Sequence, residues 1–333
     1  MGLSDVARRA GVSTASVSRV LNSPERVSPA TRSRVETAIA ELGYIPHGAA
    51  RALASRRTRT IGAIVPTLDN AIFAACISAL QRRLKQAGYT LLLACSDYQP
   101  QEELRECLAL LGRGVEGVML VGARHDPRLY ALLADKAVPH VDSWVHDPAS
   151  VHPCIGFDNR RAAARITEHL LALGHRRIAM VAGQTRHNDR AADRVVGVCE
   201  TLRARGLDWP GDYLIEQPYG IAEGREALRR LWTLRPRPTA VIGGNDVLAF
   251  GVLLEALAAG IRVPQDLSVT GFDDLPLASH IQPPLTTLRV PSAGIGTLAG
   301  DYLLARIAGE TPPSRREVEV ELVTRATTAA PGG

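Results

Sequence analysis

The sequence predicts a small all-α head followed by a larger α/β body built as two parallel-sheet lobes. Three observations carry this. Over residues 1–45, apolar side chains recur at helical spacing and are punctuated by glycine and proline. From Thr60 onward, short apolar runs alternate with amphipathic stretches. That is the pattern of strand–helix–strand units whose crossovers cover both faces of a parallel sheet. The stretch from Thr60 to Ala330 is also longer than one sheet comfortably takes, so two lobes are expected.

The elements follow in order. Leu3, Val6, Ala7 and Ala10 share one helix face, and Gly11 stops that helix. Ser13 is a cap for a second helix reaching Leu21, with Val17, Val20 and Leu21 turned inward. Asn22 to Val27 forms a turn. Ser28-Pro29 places a cap before a proline at the first helical position. The third helix turns Val35, Ile39 and Leu42 inward and ends at Gly43. Pro46 opens a short alanine-rich stretch, His47 to Ser55. In the body, strands are expected at 61–65, 90–94, 117–121, 138–142, 178–182, 240–242 and 267–271. Helices are expected at 71–87, 101–111, 127–134, 160–173, 190–205, 222–232 and 246–259. The tail from Thr327 is small and polar, and is expected to fray.

Charge is unevenly placed. The first sixty residues hold ten arginines against four acids, an excess of six in a chain whose total is +5. A basic head on a near-neutral body fits a polyanion partner for the head alone. A solvated arginine-rich surface fits equally well on charge alone, because arginine is favoured throughout and lysine occurs only at 85 and 136. The composition, 46% hydrophobic and 22% charged, is that of a folded protein. No apolar run of about 18 residues and no signal-peptide pattern is present, so a cytoplasmic setting away from membranes is expected. The five cysteines are scattered without a C-x-x-C pair, which argues against a disulfide framework or a cysteine-rich zinc site.

Catalytic motifs are not found. There is no G-x-x-x-x-G-K-[ST], G-x-S-x-G or H-E-x-x-H. Gly294-Ile295-Gly296-Thr297-Leu298-Ala299-Gly300 has the wrong spacing for a nucleotide loop and follows no evident buried strand; it suits close helix packing instead. The nine histidines show no metal-ligand spacing. Neither an enzyme nor a bound cofactor or metal is expected. A sugar-processing enzyme or a solute-binding protein of related α/β fold is the alternative, although an exported binding protein has no use for the basic head.

The segment Asp5 to Asn22 reads as a helix, a tight glycine turn and a second helix. The second helix buries its valines and presents Thr14, Ala15, Ser18, Arg19 and Asn22. Short residues and one arginine suit a major groove about 12 Å wide. On the turn glycine alone an ordinary helical hairpin is equally acceptable. The segment also resembles the helix-turn-helix of the LacI/GalR family of bacterial transcription regulators. The resemblance runs on through Val27-Ser28, Thr31-Arg32, Val35, Ala38 and Ala40-Glu41-Leu42-Gly43-Tyr44-Ile45-Pro46 to Ala50-Arg51-Ala52-Leu53-Ala54, which is similar to the family's hinge helix. It departs at Gly2, where the family usually has a capping threonine.

That resemblance implies roles. Thr14, Ala15 and Arg19 match positions that meet base edges, with Arg19 suited to a guanine. Ser13, Ser16, Ser18, Asn22 and Thr31 match phosphate contacts. Leu53, with Ala54 beside it, matches the apolar wedge inserted into the minor groove at the operator centre. The implied organisation is a DNA-binding domain over 1–45, a hinge over 46–59 and an effector-binding and dimerisation domain over 60–333. Within the last, the N-lobe covers about 60–157 and 290–318, and the C-lobe about 158–288 and 319–330. The implied partners are a second copy of the chain, giving a homodimer, and a pseudo-palindromic double-stranded operator about 15–20 bp long.

The body resembles the same family's periplasmic-binding-protein-like effector domain. The landmarks are Gly156-Phe157-Asp158-Asn159, Leu173-Gly174-His175-Arg176-Arg177-Ile178, Asn245-Asp246, Gly271-Phe272-Asp273-Asp274 and Pro284-Leu285-Thr286-Thr287. Matched positions imply an effector pocket of Asp273 and Asn245 for hydroxyls, Arg190 and Arg194 at one end, and Phe73, Phe157 and Tyr219 as apolar or stacking walls. Taken one at a time, Asp273 reads equally as a turn residue, Arg194 as a surface ion pair and the aromatics as core. Asn70 to Ala74 and Tyr98-Gln99-Pro100 are similar to the gluconate-repressor branch. A sugar acid is therefore the first expectation for the effector, a neutral sugar the second and a purine the third.

Overall fold

The structure is a computed structural model describing residues 2–22, 24–44, 57–69 and 71–332. The expected hinge, with Leu53 and Ala54, and Asn70 lie outside the described residues. The chain divides into two compact units, Met1–Thr60 and Ile61–Gly333.

The head contains α1 (Leu3–Ala10), α2 (Thr14–Asn22), one 3-10 turn (Pro24–Arg26) and α3 (Pro29–Leu42). Gly2 has no side chain to cap α1, and the Asp5 carboxylate accepts from the Gly2 amide instead, at 2.9 Å. That bond, with Arg8 nearby, holds the Asp5 carboxyl below its ordinary range. Gly11 takes φ 63 at the end of α1, the left-handed backbone that makes the sharp entry to α2. Ser13 Oγ accepts from Ser16 N at 3.1 Å, and Ser28 Oγ caps α3. Val6, Ala7, Ala10, Val17, Val20, Val35 and Ala38 form the core, with Leu3, Leu21, Ile39 and Leu42 packed around it.

In the body, one sheet belongs to each lobe. The N-lobe strands are β1 (Thr60–Val65), β2 (Thr90–Cys95), β3 (Val118–Val121), β4 (His140–Ser143), β5 (Cys154–Gly156) and β11 (Arg315–Glu317), in the order β11-β5-β4-β3-β1-β2. The C-lobe strands are β6 (Ile178–Gly183), β7 (Leu214–Gln217), β8 (Ala240–Gly243), β9 (Ser268–Asp273), β10 (Thr286–Arg289) and β12 (Glu321–Val323), in the order β12-β10-β9-β8-β6-β7. Strand pairs such as β1–β3, β3–β4, β6–β8 and β8–β9 are parallel, whereas β10–β12 is antiparallel. All residues of β3, β6, β8 and β9 are buried, as sheets covered on both faces require.

Helices α4 (Ala74–Gln86), α5 (Pro100–Gly112), α6 (Pro127–Asp135) and α11 (Ser292–Ile307) accompany the N-lobe strands. Helices α7 (Asn159–Ala172), α8 (Asp189–Ala204), α9 (Ile221–Thr233) and α10 (Asp246–Ala258) accompany those of the C-lobe. The chain passes between lobes after β5, after β10 and after β11. One apolar core runs through this junction, where the Phe157 and Phe272 rings stack at 5.9 Å. No helix among the described residues is long and apolar enough to cross a membrane.

Three expectations need correction. The strands β5, β7, β10, β11 and β12 were not expected; each has only three or four residues, too few to show a period. The glycine-rich run does follow a buried strand, β10, but it lies inside α11 and packs there: a Cβ on Gly296 would stand 2.1 Å from the Cys76 carbonyl oxygen of α4. The tail is not frayed at Thr327. Thr327 is fully buried, its carbonyl accepts from Val269 N at 2.9 Å, and Ala329 O accepts at 2.9 Å from His175 Nε2.

Candidate nucleic-acid interface and ligand cleft

The head assembles one presentable helix face. Val17 and Val20 anchor α2 in the core, which leaves Thr14, Ala15 and Arg19 exposed and Ser16 and Ser18 half-buried. Ser13 is exposed at the helix start, and Thr31 is half-buried on α3. Capping by Ser13 and Ser28 fixes where these helices begin, and so the heading of the side chains beyond.

The body forms a cleft between its lobes at the carboxyl ends of their strands, where parallel sheets leave room for ligands. Its inner part is lined by Ile72, Phe73, Tyr98 and Trp144 from the N-lobe. The C-lobe supplies Asn188, Arg190, Arg194, Tyr219, Asn245 and Asp273. The mouth opens through Thr67, Asp69, Asp97, Gln184 and Arg186.

Several buried polar atoms in this cleft have no hydrogen-bond partner among the described residues. They are both carboxylate oxygens of Asp273, Nδ2 of Asn245 and Nε1 of Trp144. An orphaned buried polar atom costs roughly 1–3 kcal/mol, so four in one cavity mark a place built for a polar guest. Burial pushes the Asp273 carboxyl up to about 6, against the pull of Arg194. Its backbone has φ 111 and its neighbour Asp274 φ 56, strained values for non-glycine residues. The turn is held by Asp274, which accepts from Arg325 at 2.7 Å and Arg289 at 2.8 Å, and by Asp246, which accepts from Leu275 N at 2.6 Å. Burial raises the Asp246 carboxyl to about 8.

The two arginines differ. Arg194 lies over the Phe272 ring at 3.6 Å, donating to Asn159 Oδ1 at 2.9 Å and Gly244 O at 2.7 Å. Burial lowers its pKa, while Asp273 opposes the shift. Arg190 reaches across the cleft and donates to Val121 O of the N-lobe at 3.0 Å and to Asp189 at 2.9 Å. Asn245 Oδ1 caps α10 through Leu248 N at 2.9 Å, which leaves its amide nitrogen for the cavity.

Six of the seven residues expected in the pocket line it: Phe73, Arg190, Arg194, Tyr219, Asn245 and Asp273. Phe157 does not. It sits at the first crossing between lobes, stacked on Phe272, and borders a separate depression with Asp158 and Arg161. The sequence reading missed Ile72, Tyr98, Trp144 and Asn188. Trp144 directly follows β4 with φ 63 and meets Phe73 edge-on at 5.0 Å. Tyr98 follows β2 by three residues and faces Tyr219 at 6.2 Å. Their position just past strand ends was the available signal; an aromatic beside an apolar run reads as core.

A helical head that offers short polar residues and one arginine, and a two-lobed body enclosing orphaned polar groups, define a ligand-responsive DNA-binding regulator. Residues 2–47 match the bacterial regulatory proteins of the lacI family, and residues 167–328 a periplasmic binding protein-like domain. The HTH-type transcriptional regulator GntR of Pseudomonas aeruginosa is 35% identical over 331 residues, covering 98% of this chain and 95% of that protein. The HTH-type transcriptional repressor CytR of Escherichia coli is 33% identical, covering 98% and 96%. The lac repressor dimer bound to operator and the anti-inducer ONPF has a TM-score of 0.88 at 30% identity, with 99% of each chain covered. The regulator CelR in its cellobiose complex has a TM-score of 0.72 at 31% identity, covering 98% and 99%. The chain belongs to the lacI family: it is a bacterial transcriptional regulator with a DNA-binding head and an effector-binding body.

Proposed function

We propose that this regulator is a cytoplasmic repressor, active as a homodimer, whose hold on a pseudo-palindromic operator is controlled by a sugar acid of gluconate type in the cleft. The observation that carries the effector class is the Asp273 carboxylate, buried with both oxygens unpartnered beside two arginines. Asp273 accepts from ligand hydroxyls, Asn245 donates to them, and Arg190 and Arg194 take the acid group. A relative known as a cellobiose complex supports polyhydroxyl ligands generally. In the head, Thr14, Ala15 and Arg19 read base edges, while Ser13, Ser16, Ser18, Asn22 and Thr31 hold phosphates. Leu53 and Ala54 enter the minor groove from a hinge within 46–59, between a DNA-binding domain over 1–45 and an effector domain over 60–333.

Thermal shift and operator gel shift with D-gluconate, D-glucose and hypoxanthine test the reading. D-gluconate is expected to raise the melting temperature and release the operator. Stabilisation by D-glucose or hypoxanthine, with none by D-gluconate, overturns the acid. An absence of any preference for a specific duplex over random DNA overturns the repressor itself.

A further inference from the structure

A buried network lies behind the cleft's N-lobe wall. The loop after β3 meets the start of α8. Asp189 Oδ2 accepts from Ala123 N at 2.6 Å and Arg124 N at 3.2 Å. Arg190 donates to Val121 O, one residue earlier. Gly122 has φ 99, and a Cβ there would fall 2.2 Å from Arg190 Nη1. These bonds join the two lobes, and one of them belongs to a residue that lines the ligand cavity.

His125 holds this loop from behind. Its side chain is 2% exposed. Nδ1 stands 2.7 Å from Glu103 Oε2, and Nε2 stands 3.0 Å from the Gly122 carbonyl oxygen. A backbone carbonyl only accepts, so Nε2 must carry a proton. The contact to Glu103 needs a second proton, on Nδ1 or on the carboxyl. The pair therefore holds two protons in either placement. With one proton lost, either the carboxylate or the Gly122 carbonyl faces a nitrogen lone pair.

We propose that His125, together with Glu103, is a positioning residue for effector binding: the doubly protonated pair keeps the 122–124 loop in the form that grips Asp189 and Arg190 across the cleft. Loss of one proton frees Gly122, loosens the loop and favours opening. This rests on reading the cleft as the effector site.

The surroundings support a transition above the ordinary histidine range. Burial alone would lower the His125 pKa, but the hydrogen bond and charge of Glu103 and the charge of Asp142 raise it above the usual 6.5. From β4, Asp142 lies 3.8 Å from Nε2 and accepts from Tyr130 OH at 2.7 Å. Burial pushes its carboxyl up to about 7, so it gains charge early in the window and then helps hold the His125 proton. From α6, Tyr130 meets His125 edge-on at 5.5 Å. From α8, Asp189 and Arg190 face the loop as an ion pair, and Arg124 lies 3.8 Å from Asp193. His140 and His152 nearby are both shifted downward by burial, so they stay neutral as the pair titrates.

The test is hydrogen–deuterium exchange of the ligand-free full-length protein from pH 6 to 9.5, read at Ala123 and Arg124 and normalised for intrinsic exchange at each pH. Wild-type protection is expected to fall at least tenfold across the window. Glu103→Gln, whose amide donates to Nδ1 of the neutral imidazole and leaves Nε2–H on the Gly122 carbonyl, is expected to keep protection across the window. His125→Gln, whose amide donates to Gly122 without titrating, is expected to keep protection at all pH values. Circular dichroism checks that each variant is folded. Identical profiles in the three proteins, or flat wild-type protection, overturn the proposal. In parallel, D-gluconate affinity is expected to weaken from pH 7 to 9 at least tenfold more in wild type than in His125→Gln, in which only the other cleft groups titrate. If D-gluconate binds neither protein, the sugar-acid reading fails while the exchange data still decide this one.

Discussion

Asp273 shows at the scale of one residue how a binding site is held at a cost. Its carboxyl is raised from 3.8 to about 6 by burial. A group with a raised folded pKa contributes stability below its unfolded pKa and loses it as pH rises through the folded one. The ionised form therefore costs the ligand-free protein on the order of 3 kcal/mol at pH 7.5. Asp273→Asn removes the charge and keeps the shape. It is expected to melt higher than wild type at pH 7.5 and equally at pH 4, while losing the effector response. A lower melting temperature at pH 7.5 would show that the charge serves stability instead. This residue was legible in the sequence because Gly271-Phe272-Asp273-Asp274 matches a landmark of the family that the chain resembles. Trp144 was not: nothing local tells a buried indole with an orphaned nitrogen from one packed in the core, since the difference lies in what surrounds it.

At the scale of the element, two helices carry predictions. Arg19 stands exposed on α2, held there by Val17 and Val20 in the core. Arg19→Ala is expected to cost about 1–3 kcal/mol of discrimination at one position of each half-site, read by operator-variant gel shifts at fixed salt. A uniform loss over all sequences would make Arg19 a phosphate contact. In α11, two glycines two residues apart differ in what they face. The nearest atom to a Cβ on Gly294 is 3.8 Å away, whereas on Gly296 it is a backbone oxygen at 2.1 Å. Gly294→Ala is expected to stabilise by up to about 1 kcal/mol through helix propensity. Gly296→Ala is expected to destabilise by about 1–3 kcal/mol or more, because α4 must move away. Denaturant melts compare the two, and equal effects would contradict the packing. Most long elements were legible because 3.6-residue periodicity and runs such as Val118-Met119-Leu120-Val121 survive without knowledge of the partner, whereas α11 (Ser292–Ile307), with its glycines and a nearly uniform apolar character, was not expected. Strands such as Cys154–Gly156 were not, because three residues become a strand only when a neighbour supplies the hydrogen bonds.

At the scale of the whole molecule, the effector and the operator must act on each other. A coupling of about 1–3 kcal/mol is expected, and by linkage it is reciprocal. Saturating operator should weaken D-gluconate binding by the same 5- to 150-fold factor by which D-gluconate weakens the operator. Titration of each against the other measures this, and independent binding would remove regulation from the cleft. The amino-acid sequence by itself determined the helical head and the two-lobed α/β class, which follow from periodicity and from the glycine and proline that punctuate it. Most of the polar cleft residues were legible only through the family resemblance, which matched their positions. Only the tertiary structure decided that Phe157 belongs to the junction core, that Trp144 and Tyr98 wall the cleft, and that His125 braces the loop gripping the opposite lobe. Each of these depends on the lobes closing together, and the contacts that close them join residues far apart in the chain: Val121 with Arg190, and Ala123 with Asp189. Local pattern fixes which face of an element is apolar, and long-range packing alone fixes what that face meets.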